Sequence, residues 1–284
     1  MTAQEAPARN SDPSPGEAPG EGTVDFPAGG PLLTVIVPNR KTPELTKICF
    51  RLLRKHTDFD KVRIIAVDND SGDDSLAYLR SLPWITLIER QVPPGESGPA
   101  MHAGALDEAL ARVETPFVMI IHTDTFVLRD DWADHLLSRF DADDVAGVGS
   151  WKLEKPRPLF IRAAHRLEEM FRRLVGRKTG DEVRYLRSHC AVYRTELLRK
   201  YTKGFLDGES AGKAAHLKLA AAGFKMIFLP SDELGQYICH LNHATMILNP
   251  APGDRKTGRA GARDRIDGKM SLFADILAAD ELDR

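Results

Sequence analysis

The sequence predicts an α/β fold built on a doubly wound, mostly parallel sheet. Three observations carry that expectation. Short apolar runs recur as LLTVIV (32–37), RIIAV (63–67), WITLI (84–88) and FVMII (117–121), unbroken as strands buried on both faces require. Stretches with apolar residues three and four apart separate several of these runs, as amphipathic helices would. Polar clusters then fall at the run ends, at Pro38-Asn39-Arg40, Asp68-Asn69-Asp70 and His122-Thr123-Asp124. Ligands of open α/β sheets bind beyond the carboxyl ends of the strands.

The elements follow in order. After the first run, Thr42-Pro43 offers an N-cap with proline at the first helical position. Leu45, Ile48, Cys49, Leu52 and Leu53 mark the apolar stripe of that helix. RIIAV ends in DNDSGDD (68–74), which serves as turn and helix start. AMHAGALDEALARV (100–113) predicts a helix with Ala103, Leu106, Leu110 and Val113 on one face. DDWADHLLSRF (130–140) predicts another, its first aspartates complementing the helix dipole.

The second half is less regular. PLFIRAAHRLEEMFRRLVGRK (158–178) reads as a basic amphipathic helix, and HCAVY (189–193) as a strand followed by a helix start at Thr195-Glu196. GESAGKAAHLKLAAAG (208–223) is a helix closed by glycine, and FKMIFLP (224–230) a strand. A last short helix is expected near 270–282.

With 284 residues the chain is long enough to bury a full core. A formal net charge of -2 argues against a dedicated nucleic-acid partner. Cys49, Cys190 and Cys239 lack CxxC spacing and read as buried thiols of a reducing, cytoplasmic setting. No secretory leader and no membrane-spanning run of 18 apolar residues is expected. Residues 1–30, rich in Pro, Gly, Ala and Glu, are expected to form a disordered tail. Residues 31–248 are expected to form one domain, with a nucleotide-binding half at 31–150 and an acceptor half at 151–248. A mobile basic linker and C-terminal helix would occupy 249–284.

Four signatures in this order resemble family 2 glycosyltransferases of the GT-A fold. VIVPNR (35–40) resembles the opening strand and its turn. VDNDSGDDS (67–75) is similar to the VDNGS or VDDGS strand end. SGPAMHAGALDEAL (97–110) loosely matches the family's glycine-containing helix start. His122-Thr123-Asp124 fills the slot of the Asp-x-Asp pair. GFLDGESAGKAAHLKLAAAGFKMIFLP (204–230) resembles the acceptor-side helix and the strand after it, although Ala211-Gly212 stands where the family carries a Glu-Asp pair.

The resemblance implies a metal-assisted, inverting transfer of sugar from a nucleoside-diphosphate sugar, UDP-linked by preference, to an acceptor hydroxyl. It implies a divalent cation, Mn²⁺ or Mg²⁺, held by Asp124, His122 and a late histidine of CHLNHAT (239–245), His243 ahead of His240. The donor would meet Pro38, Asn39, Arg40, Asp68, Asp70, Gly98, His102 and Thr123, with Asp68 accepting from the base. Asp207 or Glu209 would take the acceptor's proton. The basic helix 158–178 reads as an acceptor-side or peripheral-membrane element.

Each of these residues also has a purely structural reading. Asp68 and Asp70 suit a turn, Asp207 and Glu209 a helix start, His102 a helix surface and His122 a polar strand end. Two other functions stay in view: a non-catalytic binding or scaffold protein, and a sugar nucleotidyltransferase. The latter expects a glycine-rich phosphate loop after the first strand, where PNRKTPE (38–44) has no glycine.

Overall fold

The structure is a computed structural model that describes residues 30–151, 153, 183–207, 211–249 and 261–284. Nine strands are present among them: β1 (Leu33–Asn39), β2 (Val62–Asn69), β3 (Thr86–Arg90), β4 (Phe117–Ile121), β5 (Thr125–Val127), β6 (Val145–Gly149), β7 (Cys190–Arg194), β8 (Lys225–Phe228) and β9 (Ile238–His240). Seven form one sheet in the order β3-β2-β1-β4-β7-β6-β8, while β5 and β9 pair separately. Every contact in the large sheet is parallel except those of β7, which runs antiparallel between β4 and β6.

Side-chain alternation builds a core on each face. Leu33, Val35 and Val37 of β1 and Phe117, Met119 and Ile121 of β4 point to one side. Ile36, Val118 and Ile120 point to the other, as the two-residue period of a strand dictates. The first side is covered by α1 (Pro43–His56), α2 (Asp74–Ser81) and α4 (Trp132–Leu137). The second is covered by α3 (Gly98–Leu110), α5 (Thr195–Tyr201) and α6 (Lys213–Ala221). The sheet is therefore covered by helices on both faces, as expected.

Local departures have physical causes. Thr42 does precede α1, but its hydroxyl makes no cap bond; it lies 3.4 Å from the Thr46 hydroxyl and 3.3 Å from that of Thr123. The third strand starts two residues later than expected, because Trp84 turns into an aromatic cluster with Phe50 and Phe59. Helix α6 starts at Lys213, after Gly212 at φ +82°, a left-handed conformation that favours glycine. Three strands escaped the sequence reading: β5, β6 and β9.

The C-terminal end differs as well. After α7 (Ser231–Leu234) and α8 (Ala244–Leu248), the one helix expected near 270–282 is replaced by the end of α9 (Ala262–Met270), a short 3-10 turn, α10 (Ala274–Leu277) and a second 3-10 turn at Asp280–Asp283. Ile266 and Met270 enter the core of the α1 face. Arg51 of α1, 1% exposed, grips this segment. Its Nε donates to Asp283 Oδ1 at 2.9 Å and its Nη2 to Asp283 Oδ2 at 2.6 Å, with Asp280 and the Leu277 carbonyl as further partners. The Tyr78 hydroxyl donates to the same Asp283 oxygen at 2.8 Å.

Four expectations fall outside the described residues: the tail up to residue 29, the basic helix 158–178, Glu209, and linker residues 250–260. Among the described residues no helix is long and apolar enough to cross a membrane.

Candidate functional site

The site begins where β4 stops. After Ile121 the chain turns through 122–124, closed by Thr125 N–H donating to the His122 carbonyl at 3.0 Å, and enters β5. That strand pairs with β9 so that Thr125 lies opposite His240. The pairing wraps residues 240–244 around Asp124. Leu241 N–H donates to the Asp124 carbonyl at 2.9 Å, and Ala244 N–H to its Oδ2 at 3.0 Å.

Asp124 is buried, and its Oδ1 accepts no hydrogen bond. Facing that oxygen are His240 Nε2 at 3.4 Å and His122 Nδ1 at 3.8 Å. One ligand atom from each of the three residues lies within 4.8 Å of the others. More imidazoles close the surroundings. His102 of α3 packs edge-on against His122 at 4.9 Å, and His189 stacks on His240 at 4.5 Å. Ser188 Oγ lies 3.0 Å from His122 Nε2, and Ser150 Oγ lies 2.9 Å from His189 Nε2.

The electrostatics leave these groups ready to bind a cation. Burial pushes His122 down to about 4, with Asp124 opposing and His240 adding to the shift. Burial pushes His102 down to about 3, helped by His122. His189 falls well below the ordinary histidine value for the same reason. These rings are therefore neutral near pH 7, as nitrogen ligation requires. For Asp124, burial alone would raise the pKa. The two neighbouring imidazoles, His240 first and then His122, together with the Ala244 N–H outweigh it and hold the carboxyl below its usual range.

This donor set fits a divalent cation. A buried carboxylate oxygen without a donor costs about 1–3 kcal/mol, and Asp124 Oδ1 is such an atom. Two nitrogens with one oxygen suit Mn²⁺ and its transition-metal neighbours better than Mg²⁺, which prefers oxygen throughout.

The group lies in a cleft of about 740 Å³ at the carboxyl ends of the sheet strands. One wall holds Pro38, Asn39, Arg40 and Asn69 from the tips of β1 and β2, with Gly98 and His102 from the start of α3. From the other side of β4 in the sheet order come Tyr185, Arg187, Ser188 and His189, just ahead of β7, and Ala211, His240 and His243 complete the lining.

The expected site residues divide accordingly. Pro38, Asn39, Arg40, Gly98, His102, His122, Thr123, Asp124 and His243 all line the cleft. Asp68 does not: it sits one layer behind Asn39, 1% exposed. Its Oδ1 takes Asn39 Nδ2 at 2.7 Å and Ser71 Oγ at 2.6 Å, and its Oδ2 takes Ser71 N–H at 3.0 Å. Both oxygens thus serve the turn, and Asn69 reaches the cleft instead. Asp70 is exposed, with φ +52°, and shapes the same turn. Asp207 also stands away from the cleft lining, paired with Lys218 and accepting the Lys203 N–H at 3.3 Å. His240, ranked behind His243 on sequence, is the histidine grouped with His122 and Asp124 where a metal ion could be held, whereas His243 lines the cleft at φ +65°. Ser188, His189 and Arg187 were missed altogether. Their signal lay in HCAVY, since β7 pairs Cys190 with Ile121 and thereby brings residue 189 beside 122.

A mostly parallel sheet with a polar, imidazole-rich cleft at its carboxyl edge defines an α/β protein of the ligand-binding kind. A profile described as glycosyl transferase family 2 matches residues 34–202, more than half of the chain; the chain belongs to that family. No curated protein matches it. Among solved structures, it is similar to the mannosyltransferase PcManGT from Pyrobaculum calidifontis in complex with GDP-Man and Mn²⁺. That match has 21% identity and a TM-score of 0.53 and covers 92% of this chain and 72% of the other. It is also similar to residues 1–349 of S. aureus TarS in complex with UDP-GlcNAc. There the identity is 17% and the TM-score 0.51, over 70% of this chain and 56% of the other. At these identities the likeness is one of fold: the GT-A arrangement expected from the sequence.

Proposed function

We propose that this glycosyltransferase moves a sugar from a nucleoside-diphosphate sugar to an acceptor hydroxyl with inversion at the anomeric carbon, assisted by a divalent cation. The observation that carries this reading is the convergence of His122, Asp124 and His240 around the unmatched oxygen of Asp124, inside the cleft of a family 2 sheet. The ligand classes named for the two structural relatives, GDP-Man with Mn²⁺ and UDP-GlcNAc, support the choice of donor and cation.

A bound cation would supply Lewis-acid stabilisation of the leaving diphosphate's charge. Asp124, His122 and His240 would hold it. Arg40, at the tip of β1, brings a permanent positive charge to the donor wall. Pro38, Asn39, Asn69 and Thr123 shape that wall, and Gly98 leaves open space at the start of α3, where an added Cβ would meet nothing within 4 Å. The acceptor oxygen bonds to the anomeric carbon from the face opposite the diphosphate, which departs with the electron pair of the broken C–O bond. The acceptor proton would pass to a carboxylate; of the two expected from the sequence, Asp207 is tied to Lys218 away from the cleft lining, which leaves Glu209 as the candidate.

A second reading, a binding protein without catalysis, is favoured by one observation: Ala211, on the cleft wall, has no acidic group to offer. Calorimetric titration with UDP and GDP, with and without Mn²⁺, separates the two from each other and from inactivity. Transfer predicts Mn²⁺-dependent nucleotide binding that disappears in Asp124→Asn, together with release of UDP or GDP from the bound sugar nucleotide. Binding without turnover in any acceptor mixture would favour the second reading, and failure to bind either nucleotide would overturn both.

A further inference from the structure

We propose that Arg187 forms an anion site on the wall of the cleft facing the donor, and that the acceptor carries a carboxylate or a phosphate monoester which this arginine recognises. The proposal rests on the reading of the cleft as the glycosyl-transfer site and names the class of the second substrate.

Arg187 is built into its place. Its backbone N–H donates to the Ser150 carbonyl at 3.0 Å, and its own carbonyl accepts Cys190 N–H at 3.0 Å. Two aromatic rings hold the guanidinium, Trp151 at 4.4 Å and Tyr185 at 5.4 Å, and those rings meet edge to face at 5.1 Å. Stacking of this kind fixes a planar cation while leaving its N–H groups for a partner. Among the described residues, however, Arg187 has no carboxylate partner, and its buried Nε has no hydrogen-bond acceptor. An unmatched buried donor is costly enough that native structures nearly always fill it.

Other charges near the cleft are already committed. Arg90 and Glu96 satisfy each other through bonds of 2.8 and 2.9 Å. Asp124 belongs to the cation group. Arg40, just beyond the end of β1, meets the Met101 sulfur. Arg187 is therefore a surplus positive charge, and it lies beside the reaction centre: the next residue, Ser188, touches His122, and His189 stacks on His240. A guanidinium so placed matches a bidentate oxyanion, which would orient an acceptor hydroxyl toward the anomeric carbon. A carboxylate and a phosphate monoester share this chemistry.

The test uses the full chain with Mn²⁺ and with or without saturating UDP, titrated with sn-glycerol 3-phosphate, glycerate and neutral glycerol. Wild type should bind one of the two anions at least about tenfold more tightly than glycerol, and the stronger of the two identifies the group. Arg187→Gln should abolish that preference while leaving the UDP affinity within about twofold, and Arg187→Lys should recover part of it. Thermal unfolding of both variants near the wild-type midpoint shows that the loss is local. Equal binding of anions and glycerol would overturn the site, as would a fall in UDP affinity in Arg187→Gln comparable to the fall in anion affinity, which would assign the arginine to the donor diphosphate. Should UDP fail to bind while the anions still bind through Arg187, the transfer reading falls and the anion site stands.

Discussion

His240 Nε2 stands 3.4 Å from Asp124 Oδ1, and a strand ladder sets that distance: Thr125 of β5 lies directly opposite His240 of β9. His243, three residues later, lines the same cleft from a left-handed turn. The two histidines should therefore behave differently. His240→Ala should weaken Mn²⁺ binding by about tenfold or more, while His243→Ala should weaken it less. Calorimetry or Mn²⁺ paramagnetic resonance of the purified variants measures both. A larger effect at His243 would reverse the assignment.

His122 brings nitrogen where an all-oxygen site would suit Mg²⁺. His122→Asp should keep nucleotide binding and move cation preference toward Mg²⁺, read as the ratio of Mg²⁺ to Mn²⁺ needed for half-maximal UDP binding. An unchanged ratio would remove His122 from the ligand set.

The latch at the C-terminal end predicts a dependence on pH. Burial would raise the Asp283 pKa, but hydrogen bonds from Arg51 and Tyr78 and the Arg51 charge outweigh it, so the folded value lies below the unfolded one. A carboxylate shifted this way contributes its full stability above the unfolded value of about 3.9 and loses it as pH falls through the folded value. Asp283→Asn should cost about 1–3 kcal/mol at pH 7. The gap to wild type in urea unfolding should narrow below about pH 4. A gap that stays constant down to pH 3 would contradict the ion pair.

Gly149 in β6 makes a close approach: a Cβ there would sit 2.4 Å from the Cys190 carbonyl oxygen. Gly149→Ala must push β6 away from β7, at about 1–3 kcal/mol. The next residue, Ser150, bonds His189 and accepts from Arg187, so the change should also disturb the cleft wall. Chemical-shift changes at His189 alongside a lower unfolding midpoint would register both; a neutral effect on each would mean the strands separate freely.

The sheet was legible because buried parallel strands leave unbroken apolar runs, and β1, β2 and β4 were read within a residue or two of their ends. Strand β6, VAGVG, escaped because its glycines carry neither bulk nor β-branching. Strands β5 and β9 have three residues each, too few for any period to show. Within the site, His122 and Asp124 stood out because two polar ligands directly follow a buried strand. The choice between His240 and His243 depended on a pairing register between distant segments, which local pattern does not encode. Asp68 is the opposite case: a turn carboxylate and a base-binding carboxylate read alike in sequence, and only the fold shows that Asn39 and Ser71 bond its oxygens.

The β5–β9 ladder also orders events in time. During synthesis Asp124 leaves the ribosome more than a hundred residues ahead of His240, and until that late strand docks, its carboxylate lacks the histidine and the Ala244 amide that face it in the fold. The group of His122, Asp124 and His240 thus assembles among the last tertiary contacts of the growing polypeptide, so a nascent chain halted before Ile238 has the residues of β1 to β8 and still lacks the third member of that group.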